Sequence, residues 1–184
     1  MNLSLRRAAP ADAPAIARVV VDAWRAAYRG VVPDAFLNRL DYGRREEHFR
    51  RSLGTGPEET HVVEEEGRLV GFVTLGGCRD PDSGPAPGEI WGIYVDPGHW
   101  RNGIGTFAVR EAERTLVDKG STEAVLWVFE GNAQARRFYE AMGYTPDGAM
   151  KEIEVGARVP AVRYRKTLGP AETVDRGEQV AGRA

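Results

Sequence analysis

Cysteine and histidine are scarce: 184 residues hold one cysteine and three histidines. The lone cysteine, Cys78, excludes an internal disulfide and any multi-cysteine zinc site, and no histidine stands near it to make it a nucleophile. It reads as an ordinary buried thiol near a strand end, and no metal is expected. Blocks of one charge are missing too. Twenty-five Lys and Arg interleave with 27 Asp and Glu to a net charge of −2 and a pI near 6.0, so nothing marks a nucleic-acid footprint. Apolar runs such as 125–129 are far too short to span a membrane. The opening stretch, MNLSLRRAAP, lacks the apolar segment of a signal peptide. What is there is an apolar fraction of 42%, enough for a proper core at this length. The expectation is a soluble cytoplasmic protein of one domain, 1–168, with a disordered tail over 169–184 that shows no apolar periodicity.

Taken in order, Leu3 and Leu5 alternate with polar neighbours as a short strand. Asp12 is placed to cap a helix with Pro14 in its first turn. Ile16, Val19, Val20, Ala23, Trp24, Ala27 and Tyr28 then fall on one helical face. A second helix is expected around Phe36, Leu37 and Leu40, the two helices forming a unit of their own before the loop at 54–57. Residues 61–63 and 68–75 pattern as a hairpin turning at 65–67. The acidic run 64–66 could attract a cation or simply be a solvated turn. Residues 79–88, rich in Pro, Gly and Asp, read as a mobile loop, and 89–95 as the central strand. Beyond it, Ile104, Ala108, Ala112 and Leu116 share a helix face that Gly120 closes. Residues 125–129 form a buried strand. Asn132 can cap a helix carrying Ala135, Phe138, Tyr139 and Met142. Two weaker strands are expected at 149–155 and 162–167. This order gives an α/β fold with a mixed sheet and helices on both faces.

The turn at 96–106 concentrates the chemistry. Gly103 and Gly105 let backbone N–H groups approach a pyrophosphate at the positive end of the following helix. A Walker A loop needs Lys and then Ser or Thr after its second glycine, whereas Gly105 is followed by Thr106 and Phe107. A dinucleotide fingerprint belongs at the first strand, with an acid about twenty residues on. Here the motif lies mid-chain and the next strand ends too far away. Spacing alone leaves two readings: a phosphate cradle of backbone donors flanked by Arg101, or a turn that binds nothing.

The segments Ile93-Tyr94-Val95-x-Pro97, Gly103-Ile104-Gly105 and Trp127-Val128-x-Glu130-x-Asn132-x-x-Ala135-x-x-Phe138-Tyr139-x-x-x-Gly143-Tyr144 resemble, in this order and spacing, the core of the GNAT superfamily of N-acetyltransferases. The resemblance implies a mostly antiparallel sheet of six or seven strands, splayed at the cofactor site. It also implies acetyl-CoA as acyl donor, with pantetheine along Ile93, Tyr94 and Val95. The cradle would be Arg101, Asn102, Gly103, Ile104, Gly105 and Thr106, with Asn132 as a further contact; on its own, Asn132 reads as a plain N-cap. One departure stands out. Trp100 occupies the place where the family usually has Gln or Arg, and Arg101 stands where Gly is common, so Arg101 is expected to supply the missing contact.

Amide formation from a thioester requires an amine free base, which for an alkylammonium of pKa about 10.4 costs about 4–5 kcal/mol at neutral pH. Glu89 is the candidate general base. It opens an otherwise apolar strand, where an acid is costly unless solvated or used, and by period two it shares a face with Trp91, Ile93 and Val95. The resemblance gives Tyr139 the part of acid, hydrogen-bonding the sulfur as the thiolate leaves; the alternative is a core aromatic. Trp24, Tyr28 and the turn at 30–33 fall where the superfamily covers its acceptor, and Trp91 is expected to line the same pocket. The expected activity is direct acetyl transfer to a small-molecule primary amine, with a homodimer left open. Protein amino groups as acceptors, or a non-catalytic acyl-CoA-binding module on the same fold, are the alternatives.

Overall fold

The computed structural model describes residues 2–84 and 87–169; most of the expected tail lies outside them. Seven strands make one sheet in the order β1-β2-β3-β4-β5-β7-β6. The hairpin is β2 (Glu59–Glu65) and β3 (Arg68–Gly77), with β1 (Leu3–Arg7) on its outer edge. Its turn puts Glu66 at φ 51° and Gly67 at φ 82°, two left-handed residues in succession, which suits a tight hairpin. The acidic run is not free: Glu64 accepts from Arg6 at 2.7 and 3.0 Å.

The apolar stripe becomes α1 (Ala13–Ala27), with Ile16, Val19, Val20 and Ala23 buried on the sheet. Asp12 does not cap it by side chain. Its carboxylate takes the Ala9 N–H at 2.8 Å and both terminal nitrogens of Arg6 at 2.8 and 2.9 Å. The expected second helix is short, α2 (Asp34–Asn38), and Leu40 falls outside it. A further helix, α3 (Tyr42–Ser52), has no apolar stripe to announce it, since nearly all its residues are polar or charged. Its Phe49 stacks at 5.6 Å on Phe72 of β3, so these helices pack on the sheet rather than forming a separate unit.

On the other face lies α4 (Ile104–Asp118), burying Ile104, Ala108, Val109, Ala112 and Leu116, beside α5 (Ala133–Ala141). Helices therefore cover both faces of the sheet. The C-terminal pair is longer than expected, β6 (Thr145–Glu154) and β7 (Arg158–Thr167). Exposed β6 forms the sheet edge and contains Pro146 and Gly148, which hides the alternation that would reveal a strand.

Two irregularities in β4 (Pro87–Val95) shape the site. First, Thr74 pairs with Gly92 and Leu75 with Ile90, so Trp91 is an extra residue, a β-bulge. The bulge breaks the period-two count and turns Glu89 to the sheet face opposite Ile93 and Val95, correcting the expected shared face. Second, β4 pairs in parallel with β5 (Glu123–Phe129) only over Pro87–Glu89 and then diverges. Both strands keep their outer partners, β3 and β7, so the sheet splays between them.

Candidate active site

The splay leaves a cavity of about 590 Å³ lined by residues from both faces of the sheet. From the α4 side it is lined by Gly103, Gly105, Thr106, Ala135, Phe138 and Tyr139; from the α1 side by Trp24, Tyr28, Trp127, Phe129, Lys151 and Ile153. The β4 backbone, still paired to β3 but without a strand partner on its β5 edge, runs between the two halves through Gly92, Ile93, Tyr94 and Val95.

At the glycine turn, Asp96 accepts the Gly98 N–H at 2.9 Å and Gly103 sits at φ 78° as the N-cap of α4. The Trp100 N–H reaches Pro97 and the Phe107 N–H reaches Gly103, but the six N–H groups of residues 101–106 between them find no acceptor among the described residues. Helix geometry leaves the last four of these donors, at 103–106, unpaired, and at the positive end of a fifteen-residue helix they suit a pyrophosphate. Gly105 packs against the Phe138 ring of α5, which a Cβ there would touch at 3.4 Å. The Ile104 side chain points into the core with Val63, Val70 and Ala108, so its part in a cradle is confined to its N–H. Asn102 is exposed, and its side chain is not among the residues lining the cavity.

The departure at Trp100 and Arg101 has a structural counterpart. Trp100 donates its indole N–H to the Val95 carbonyl at 2.8 Å, pinning the end of β4. Arg101 is held at φ 65°, a left-handed conformation that costs a side-chain-bearing residue about 1–2 kcal/mol, which accounts for glycine being common there. Both side chains reach the cavity.

Three phenols meet where the halves join. Burial raises the pKa of Tyr28, Tyr94 and Tyr139, and Tyr94 pushes the other two further up. The Tyr94 ring lies over Gly92, where a Cβ would stand 2.9 Å from it. Tyr139 thus keeps its proton and can donate a hydrogen bond. Asn132, nearly buried, caps α5 by accepting the Ala135 N–H at 3.1 Å while also lining the cavity, so capping and cavity contact coexist. Trp24, Tyr28 and Trp91 all line it too. Tyr28 packs edge-on against Trp24 at 4.8 Å and Phe129 at 5.1 Å.

Glu89, like Asn102 and the Ile104 side chain, is not brought to the cavity wall. It is 1% exposed, and its oxygens accept from Arg79: the backbone N–H and Nε at 3.0 Å on Oε2, and Nη2 on Oε1. The wall residue is Arg79, stacked 4.1 Å over the Trp91 ring. The expected mobile loop is tied down in its described part, 79–84. Trp127 donates to Asp80 at 2.9 Å, Arg163 grips Asp82 at 2.7 and 2.8 Å, and Ser83 is buried. Sequence reasoning missed Arg79 and Lys151, which sit in a loop and on an exposed edge strand with no periodic pattern. Trp127 was visible as part of the quoted motif but without a role.

A splayed sheet, with backbone donors on one side of the gap and an aromatic chamber on the other, is the frame of an acyl-CoA-dependent transferase. The chain belongs to the acetyltransferase (GNAT) family, whose sequence profile matches residues 19–144. It is 30% identical to an uncharacterised N-acetyltransferase of Bacillus subtilis over 90% of this chain and 98% of that one. It is 31% identical to a probable N-acetyltransferase of Mycobacterium tuberculosis, over 89% and 93%. Its fold matches a putative acetyltransferase of Salmonella typhimurium solved with its cofactor acetyl-CoA, at a TM-score of 0.66 and 22% identity over 96% and 99% of the two chains. The resemblance read from the motifs and the expected sheet architecture are thereby shown. Among the described residues no helix is long and apolar enough to cross a membrane.

Proposed function

We propose that this acetyltransferase moves an acetyl group from acetyl-CoA to the primary amine of a small molecule by direct attack. The observation that carries the reading is the run of six N–H groups at 101–106 without a partner among the described residues, four of these residues lining the same cavity as Tyr139. The related Salmonella structure, solved with acetyl-CoA, supports the same donor here. When bound, the donor supplies an activated thioester.

The chain's own residues do the rest. The 101–106 donors and Arg101 hold the pyrophosphate, with Asn132 adding a polar contact. The edge of β4 that faces β5 at Ile93, Tyr94 and Val95, without a strand partner, takes the pantetheine arm and offers an N–H to the thioester carbonyl. Tyr139, held neutral by burial, donates to the sulfur as negative charge builds on it. A hydrogen bond suffices there, because the raised phenol pKa makes full proton transfer to a thiolate unfavourable. Trp24, Tyr28 and Trp91 wall the acceptor. Glu89 orients Arg79 in the folded arrangement; serving as the base would require Arg79 to let go of it.

The test is amine-dependent release of free thiol from acetyl-CoA across a panel of amines, with products identified by mass spectrometry. Acetylated amine appearing one-for-one with thiol supports the reading. Acetyl-CoA binding with no amine-dependent release would make the protein an acyl-CoA-binding module instead.

A further inference from the structure

The acceptor half of the cavity carries a charge pattern that the acetyl-transfer reading does not by itself explain. Arg79 and Lys151 both line it, and among the described lining residues there is no Asp or Glu. Carboxylates lie close by, but they are engaged elsewhere. Glu89 is held by Arg79, Asp80 takes the Trp127 indole at 2.9 Å and Arg163 at 3.2 Å, and Asp82 is gripped by Arg163.

The two cations, by contrast, have donors to spare. Lys151 Nζ sits 3.8 Å from the centre of the Trp127 ring. Its nearest carboxylate, Asp80, is 3.9 Å away, beyond hydrogen-bond distance. Arg79 commits Nε and Nη2 to Glu89, which leaves Nη1 unbonded to any described residue. Their side chains are 39% and 52% exposed, so each can be reached from the cavity. Burial pushes the Lys151 pKa down; Asp80 and Glu89 pull it back, and the Arg79 charge adds to the push, so the two cations share one neighbourhood.

We propose that the acceptor carries a carboxylate, read by Lys151 and the free edge of Arg79, which makes it an amino acid or a similar amino-carboxylate. The proposal rests on the acetyl-transfer reading and names its substrate class. A carboxylate placed between the two cations relieves their mutual repulsion and fills their unused donors. The aromatic walls of Trp24, Tyr28, Trp91 and Trp127 then face the remainder of the molecule. A polyamine would bring further positive charge against both cations with no carboxylate on the wall to receive it.

The experiment measures kcat/KM with the full chain and acetyl-CoA for amino acids, their carboxamides, the matching decarboxylated amines and spermidine. Acetyl-CoA affinity is measured alongside. The carboxylate-bearing acceptors should be preferred by about tenfold or more, since losing the carboxylate leaves two charged groups unmatched. Lys151→Gln should shrink that preference to within about threefold, leave acetyl-CoA affinity unchanged, and be rescued by Lys151→Arg. Spermidine, amides or plain amines turned over as well as the amino acids would overturn the substrate class while leaving acetyl transfer standing. The class is also overturned if Lys151→Gln keeps the full preference. Acetyl-CoA binding without turnover of any member would overturn both.

Discussion

Arg79 closes over Glu89 and Trp91 together, its guanidinium on the carboxylate and its flat face 4.1 Å above the indole. Because Glu89 is 1% exposed while the Arg79 side chain is about half exposed, the acid governs the cavity through the base. Glu89→Gln should loosen Arg79 and lower kcat/KM several-fold through acceptor KM, with the acid limb of the pH–rate profile unmoved. Disappearance of that limb in the variant would instead make Glu89 the group that takes the amine proton.

Tyr139→Phe keeps the ring that packs at 5.1 Å on Phe138 and removes the hydroxyl. A fall in kcat of about 10- to 1,000-fold is expected, with acetyl-CoA affinity little changed, because the lost donor acts on charge that develops only during transfer. The pH dependence has a definite sign. The neutral phenol is the donating form, and burial holds its pKa above the ordinary value. The hydroxyl therefore keeps its proton as pH rises through about 10, and wild-type kcat should show no alkaline decline below that point. An unchanged kcat in the variant would remove Tyr139 from the chemistry.

Arg101 separates a backbone effect from a side-chain effect. Arg101→Gly relieves the left-handed strain at φ 65° and should raise unfolding free energy by about 1 kcal/mol, read by denaturant titration. Arg101→Ala keeps the strain and removes the cation, and should weaken acetyl-CoA binding several-fold. An unaltered dissociation constant in both variants would mean that the cradle works through backbone donors alone.

The Arg6–Asp12 pair predicts an acid-side stability change. The Asp12 carboxyl lies below its ordinary pKa, chiefly through its hydrogen bonds to Arg6, with the Ala9 N–H adding to the effect. A lowered folded-state pKa means that its contribution is present above about pH 4 and lost as pH falls further. Arg6→Gln should lower stability at pH 7 and flatten the decline below about pH 4. An equally steep decline in the variant would show that Asp12 does not contribute to it.

Apart from α3, the order of strands and helices was legible because α1 and α4 carry strong apolar periods and β5 a continuous apolar run. That Gly103, Gly105, Asn132 and Tyr139 belong to one cavity was legible because their motif spacing is local. What escaped has physical causes. The bulge at Trp91 adds one residue to β4, and no local pattern announces it, yet it sends Glu89 to the other face. Helix α3 is held by Phe49 and by the Asp41 cap rather than by a stripe. Arg79 and Lys151, seventy-two positions apart, line one cavity because the strand order places β6 beyond β5 and β7 on the same side of β4.

The central claim is that the unpartnered donors at 101–106 receive the acyl donor. Residue-resolved amide hydrogen exchange, with and without saturating acetyl-CoA, tests it most directly, because these six N–H groups have no partner among the described residues. The account predicts fast exchange in the free protein and, on binding, slowing at 101–106 larger than at any other turn of the described chain. Acetyl-CoA that binds without slowing those amides, or protects a different segment, would contradict it.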